Sequence, residues 1–344
     1  MWLPYTGCVA TNDRYDAVLL ISFGGPEKHE DVIPFLENVL RGRNVPHERL
    51  LEVAEHYYHF DGQSPINEQC RRLIDALEGE FSEGGTSLPI YWGNRNWHPL
   101  LAETVRHMRN DGIRHALAIA TSAFGSYSGC RQYREDIEAA RAAVPDAPRI
   151  DKLPPYWNHA GFIDAMVDRV HVALTRLPGA QVVYTAHSIP VSMSEGSPYV
   201  EQLRAACGMV NEKLRLEFGL DAGEVELVWQ SRSGPPMQAW LEPDIADYIR
   251  GYAGRDGGAK RLIVVPIGFL SDHMEVLYDL DTEAAALAAD HRIAFERAGT
   301  AGTHPLFVKG IHDLVRDALR DGVMNPCAEG CCPRMVRPEV QPAR

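Results

Sequence analysis

No stretch of this chain approaches the roughly 20 apolar residues that a transmembrane helix needs. No phosphate-cradling loop is present either. "SFGGP" is neither Gly-x-Gly-x-x-Gly nor a Gly-x-x-x-x-Gly-Lys-Ser/Thr loop, so Gly24 and Gly25 read as a tight strand exit. Positive charge is scarce: 34 Lys and Arg stand against 47 Asp and Glu, a formal charge of −13. That argues against a nucleic-acid partner, whose binding surface is usually basic, and against broad attraction to anionic membranes. The first ten residues, "MWLPYTGCVA", have no basic segment followed by an apolar one. The "LPYTG" string and Cys8 therefore carry neither a sorting nor a lipoprotein signal. The expectation is a cytoplasmic monomer, where seven cysteines are not a disulfide framework.

With 344 residues, two domains are the default. Six short apolar runs lead into helical patterns: "YDAVLLISFGGP", "LPIYWGNRNWHP", "HALAIATSAFGS", "AQVVYTAHSIP", "EVELVWQSRSGPP" and "RLIVVPIGFLSD". Near-continuous Val/Ile/Leu runs of this length suit parallel strands buried on both faces. Helical segments such as "PLLAETVRHMRND", "YREDIEAARAAV" and "YVEQLRAACGMVNEKLRLEF" lie between them. Alternation of this kind means an α/β, doubly wound (Rossmann-like) architecture. The halves echo each other. "LPIYWGNRNWHPLLAETV" resembles "VELVWQSRSGPPMQAWLEPDI", and "HALAIATSAFGS" resembles "RLIVVPIGFLSD". The expected organisation is two similar lobes, residues 1–151 and 152–305, with 306–344 packed back on the first and "DKLPPYWNHAGF" as the crossover. A cleft would lie between them, lined by loops at the carboxyl ends of strands, from Phe23, Gly93, Ser122, His187, Ser231 and Phe269.

Two features carry chemistry. His187 closes a buried strand just before "SIP". Asp272, Glu275 and Asp279, in "GFLSDHMEVLYDLD", fall at i, i+3 and i+7, which on a helix is one face. A solvated face is one reading. A carboxylate row leading to a histidine is the other; hard oxygen donors followed by a nitrogen suit passage of a divalent metal. The second feature is the tail, "NPCAEGCCP". Thiolates at Cys327, Cys331 and Cys332 suit Zn²⁺ or an iron–sulfur cluster, and a [2Fe–2S] centre needs a fourth. Cys70 and Cys207 sit in helical patterns, where a small buried residue is the default. Cys8 lies near the start, and Cys130 follows a strand end in "SYSGCRQY".

Taken together, "FGGP", "DGQSPI", "HPL", "TAHSIP", "WQSR" with "GP", and the "SDH…E…LYDLD" segment resemble the ferrochelatase family, from about Asp16 to about Val323. The cysteine tail resembles the actinobacterial branch, whose members carry a [2Fe–2S] cluster. The resemblance implies a chelatase-type fold and insertion of substrate Fe²⁺ into coproporphyrin III, yielding coproheme in haem biosynthesis. It implies His187 and Glu275 as catalytic, iron-handling residues. It implies Ser64, Tyr57 and Tyr133 as porphyrin contacts, although a turn role for Ser64 and core roles for the tyrosines fit as well. It places the internal cluster ligand near Cys130, giving the set Cys130, Cys327, Cys331 and Cys332. Arg41 and Arg43 are candidates for pairing with propionates or for plain solvation. Phe23 stands where some relatives carry tyrosine, and it offers no oxygen ligand. Protoporphyrin IX as substrate, a cobalt chelatase, and a non-enzymatic haem or iron carrier are the alternatives. A carrier has no need of both His187 and Glu275.

Overall fold

The computed structural model describes residues 14–42, 45–234, 237–255, 260–323 and 330–334. Cys8, Arg43 and Cys327 lie outside the described residues. All six apolar runs form strands. In the first half, β1 (Ala17–Ser22), β2 (Ile90–Asn94), β3 (His115–Ala120) and β4 (Arg149–Lys152) make a parallel sheet in the order β2-β1-β3-β4. In the second, β5 (Gln181–His187), β6 (Leu227–Gln230), β7 (Arg261–Val265) and β8 (Ala294–Arg297) repeat it as β6-β5-β7-β8. Val18 pairs with both Ile90 and Leu117, and Tyr184 pairs with both Leu227 and Val265. Each internal echo in the sequence therefore marks two strands at the same place in the two sheets. Every residue of β1 is buried, as expected for a central parallel strand covered by helices on both faces.

β4 and β8 escape the apolar-run criterion because they are short, charged and mostly half-buried. Their sequences, RIDK and AFER, mix charged and apolar side chains, and only one residue of the eight is buried. "DKLPPYWNHAGF" accordingly begins inside β4 before it becomes the crossover. Gly93 lies within β2 and not in the loop after it.

The largest core spans both halves. It joins Val18 and Leu117 of the first sheet to Val182 and Ile263 of the second, through Phe162 and Met166 of the Ala160–Arg176 helix. The Pro305–Asp321 helix adds Phe307, Ile311 and Val315. Gly161 and Gly310 allow these two helices to touch, since a Cβ on Gly161 would meet the Cα of Gly310 at 2.6 Å. On the first half, His312, only 2% exposed, bonds Thr86 Oγ1 at 2.8 Å and Glu80 Oε1 at 3.2 Å. The C-terminal helix thereby grips the Ile66–Glu83 helix through a satisfied polar contact as well as through Phe81.

Candidate active site

β5 ends at His187, and its backbone carbonyl accepts a hydrogen bond from the Tyr199 hydroxyl at 3.1 Å. The His187 Nδ1–H donates to the Ser188 carbonyl, which leaves Nε2 turned outward. Opposite it, 3.6 Å from Nε2, is Glu275 Oε2. Glu275 reaches this place by helix capping. His273 is the N-cap, and its Nδ1 accepts the Glu275 N–H at 3.2 Å. The helix starts at Met274 and widens to π-helical hydrogen bonding over Leu277–Ala284 before an ordinary turn, Ala285–Asp290. Local π-helical stretches occur often at functional sites.

The electrostatics follow from this packing. Burial works against a charged His187, but the Glu275 carboxylate outweighs it and raises the imidazole to about 9. Burial likewise works against a charged Glu275, and the imidazolium wins, holding the carboxyl to about 2. At neutral pH the two are therefore an ion pair. Burial pushes Asp279 up to about 7; Glu275 and Glu283 add to the rise, and the Ser231 hydroxyl opposes it. Gln230, fully buried at the end of β6, donates to the Glu275 carbonyl at 3.2 Å and to Asp279 Oδ2 at 3.4 Å.

The acidic row is not the one the sequence spacing predicts. Asp272 precedes the helix. Its carboxylate is taken by Arg297 at 3.1 Å and by the Thr300 hydroxyl at 3.2 Å. Glu283 continues the row instead, so Glu275, Asp279 and Glu283 stand at intervals of four. The spacing of "E…D…E" from Glu275 onward contained that signal. Ser231 is already marked as a strand exit, but nothing in the sequence marks Gln230, whose partners Glu275 and Asp279 arrive on the helix after β7.

The first half contributes a different surface. Tyr57 lies close enough to Glu275 for that charge to add to the effect of burial in raising its hydroxyl. The same helix, His47–Tyr58, stacks His56 on Tyr278 of the π-helix, with ring centroids 3.9 Å apart. Phe35 packs against Phe23 at 6.2 Å, Tyr57 at 5.7 Å and Trp97 at 6.3 Å. Phe23 is 37% exposed, an aromatic left open at the end of β1. Arg95 lies over Phe23 and Tyr133 and pairs with Asp136. Tyr133 itself is only 4% exposed and belongs to the core under the first sheet. Of the expected porphyrin contacts, Tyr57 is thus brought to the His187–Glu275 pair, while Tyr133 packs in the core beneath Arg95. Ser64, also buried, packs on the β1 exit, where a Cβ on Gly25 would meet its Oγ at 2.9 Å. Arg41 bonds Asn38 on the surface.

The tail returns to the first half beside Cys130. Cys130 is buried in the Tyr127–Arg131 turn and lines a cavity of about 220 Å³ with Arg134, Arg149 and Lys152. Arg134 Nη2 is 3.6 Å from Cys331 Sγ, and Arg131 donates to the Cys331 carbonyl at 3.3 Å. Cys332 is buried, and Cys70 and Cys207 are buried in helices. Among the described residues, no three His, Cys, Asp or Glu side chains converge as a ready-made metal site, and no helix is long and apolar enough to cross a membrane.

Two parallel-sheet lobes with a metal-compatible pair at a strand end define a chelatase-type fold, and solved chelatases share it. The sirohydrochlorin chelatase SirB of Bacillus subtilis subspecies spizizenii, solved with cobalt, superimposes with a TM-score of 0.52 at 15% identity, covering 89% of this chain and 95% of its own. CbiX, described as the terminal enzyme of siroheme biosynthesis in denitrifying bacteria, gives 0.51 at 15%, covering 88% and 99%. The ferrochelatase family model matches residues 15–319. A protein of Rhodopirellula baltica named ferrochelatase is 51% identical, covering 92% of this chain and 93% of that protein. Proteins named coproporphyrin III ferrochelatase are 48% identical in Nocardia farcinica (94% and 98% covered) and 46% in Streptomyces coelicolor (94% and 95%). The chain belongs to the ferrochelatase family.

Proposed function

We propose that this protein inserts ferrous iron into coproporphyrin III. The observation that carries the reading is the His187–Glu275 pair, 3.6 Å apart and faced across the cleft by Tyr57. Metallation removes two pyrrole N–H protons as Fe²⁺ enters, so the site needs a proton acceptor and an anionic place for the cation. In the resting pair Glu275 keeps the proton on His187. Fe²⁺ arriving at Glu275 replaces the imidazolium as counter-charge. His187 then passes its proton to solvent along the acidic row, presents neutral Nε2 to one pyrrole N–H, and releases that proton by the same route before taking the second. Iron binding and readiness of the base are coupled in this way. Asp279, near 7, and Glu283 extend the row away from the pair and suit both proton release and iron entry. Phe23, Tyr57 and Trp97 supply an apolar seat for the macrocycle, and Ser64 a polar atom at its rim. Tyr133 acts through Arg95, which it supports. Cytoplasmic location goes with this reading, because free ferrous iron persists in a reducing compartment.

Coproporphyrin III carries four propionates and protoporphyrin IX two, so polar anchors around a cleft favour the former. The relatives named for coproporphyrin III support that choice. Anaerobic turnover with Fe²⁺ and each porphyrin, followed by absorbance, tests it. Higher kcat/KM with protoporphyrin IX would overturn the substrate, and no turnover with either would leave a carrier.

We also infer a [2Fe–2S] cluster on Cys130, Cys327, Cys331 and Cys332. Its support is the donor set: soft thiols, with Cys331 beside the Arg134 guanidinium and held at its backbone by Arg131, on the turn that bears Cys130. When bound, such a cluster would tie the tail to the first lobe. One zinc and no sulfide per chain in the purified protein would replace this reading by a structural zinc site.

A further inference from the structure

The loop that aims Glu275 is held from both halves of the molecule. In the second half, Arg297 and Thr300 fix the Asp272 carboxylate. From the first half, Gln69 Oε1 accepts the Asp272 backbone N–H at 2.9 Å. This contact joins the two halves directly, between residues 203 apart in sequence. The next residue, His273, caps the helix at Glu275. A shift of Asp272 is therefore passed through one cap to the carboxylate that faces His187.

The helical turn that carries Gln69 has a second task. Asn67, 1% exposed, donates to the Gly25 carbonyl and the His98 carbonyl, both at 3.2 Å, and to Glu27 Oε1 at 2.9 Å. Its own Oδ1 accepts from Asn94 at 3.2 Å. It thus anchors the exits of β1 and β2, the two loops that bring Phe23 and Trp97 to the cleft. Ser64 lies just before this turn, against Gly25. One rigid turn, Ile66–Cys70, is tied at the same time to the aromatic seat and to the acidic loop.

We infer that Gln69 is a positioning residue for metal insertion: by accepting the Asp272 N–H it sets the distance between the porphyrin seat of the first half and the His187–Glu275 pair of the second. The inference rests on the proposed metallation reaction. A side-chain acceptor here is well placed for the task, because it bonds backbone and so fixes the loop whatever charge the carboxylates carry. Glutamate keeps the acceptor, and leucine keeps the volume without it. Gln69 is only partly buried, so both variants are compatible with the fold.

The test uses the full chain with Gln69→Leu and Gln69→Glu. Loss of one hydrogen bond is worth about 1 kcal/mol, so Gln69→Leu is expected to lower kcat by about five- to tenfold. KM for coproporphyrin III should stay within about twofold, since the seat is held by Asn67 and not by Gln69. Gln69→Glu should restore kcat to within about twofold of wild type. Amide hydrogen exchange at Asp272 should accelerate in the leucine variant and return in the glutamate variant. Wild-type kcat in Gln69→Leu, equal losses in both variants, or unchanged Asp272 exchange each overturns the proposal. A wild type that fails to metallate coproporphyrin III counts against the proposed function alone, because the exchange measurement reads the contact without substrate.

Discussion

β1 and β5 occupy the same position in two sheets of identical order, and both release the chain into the cleft, yet they deliver opposite chemistry. β1 leads into Phe23 and two glycines. Its neighbours add Arg95 and Trp97, so the first half presents rings and one buried guanidinium. β5 ends in His187, and its neighbours add Ser231, Glu275 and Asp279. A duplicated scaffold thus separates the two needs of metallation. In the proposed function, one half would seat the flat apolar ring and the other would handle the cation and the protons. The separation has a physical reason. Buried carboxylates need partners, and Glu275 and Asp279 find them in His187, Gln230 and Ser231.

The comparison breaks most severely if the titratable half is emptied. His187→Ala should lower turnover by on the order of 10²–10⁴-fold with the fold intact, measured as anaerobic metallation rate alongside circular dichroism. Turnover near wild type would remove His187 from the mechanism. Glu275→Gln keeps shape and loses charge, and should cost nearly as much. The tail sharpens the contrast from outside the cleft. If the proposed cluster is present, Cys130→Ser should lose its visible absorption bands and lower Tm by several degrees, whereas Cys70→Ser and Cys207→Ser keep the bands. Retained bands in Cys130→Ser would exclude it as a ligand.

The aromatic half should respond differently. Phe23→Ala removes an exposed ring and no charge, so KM for the porphyrin should rise about two- to tenfold while kcat changes little. An equal fall in kcat would show that the two halves are not separable. The smallest effect concerns pH. His187 is raised from 6.5 to about 9, so its stabilising contribution is complete below 6.5 and lost as pH rises through about 9. Glu275 is lowered from 4.5 to about 2, so its contribution is present above 4.5 and lost as pH falls through about 2. The Tm difference between wild type and Glu275→Gln should therefore be widest from pH 4.5 to 6.5 and narrow toward pH 9. A difference that is flat across this range would mean the pair does not form.

Much of this was legible in the chain. The buried strands announce themselves because a parallel strand covered on both faces must be apolar throughout, and the internal echo carries their order. His187 and Glu275 are readable as strand-end and helix-start residues of the right chemistry. β4 and β8 were not, since these two short strands are mostly half-buried and keep their charges, whereas β2 and β6 at the opposite edges read as apolar runs. Asp272 illustrates the remaining limit. By spacing it joins the acidic row, but Arg297, 25 residues later, takes its carboxylate, and Glu283 replaces it. For Tyr133 the sequence leaves a porphyrin contact and a core role both open; in the fold it is 4% exposed and packs beneath Arg95. Local sequence determines periodicity, caps and the kinds of donor available, all of which depend on neighbours within a few residues. Which donors meet is decided by contacts between segments far apart in the chain: Gln69 with Asp272, Tyr57 with Glu275, Arg134 with Cys331. Those pairings depend on how two sheets and their helices pack, and no short-range pattern encodes that distance.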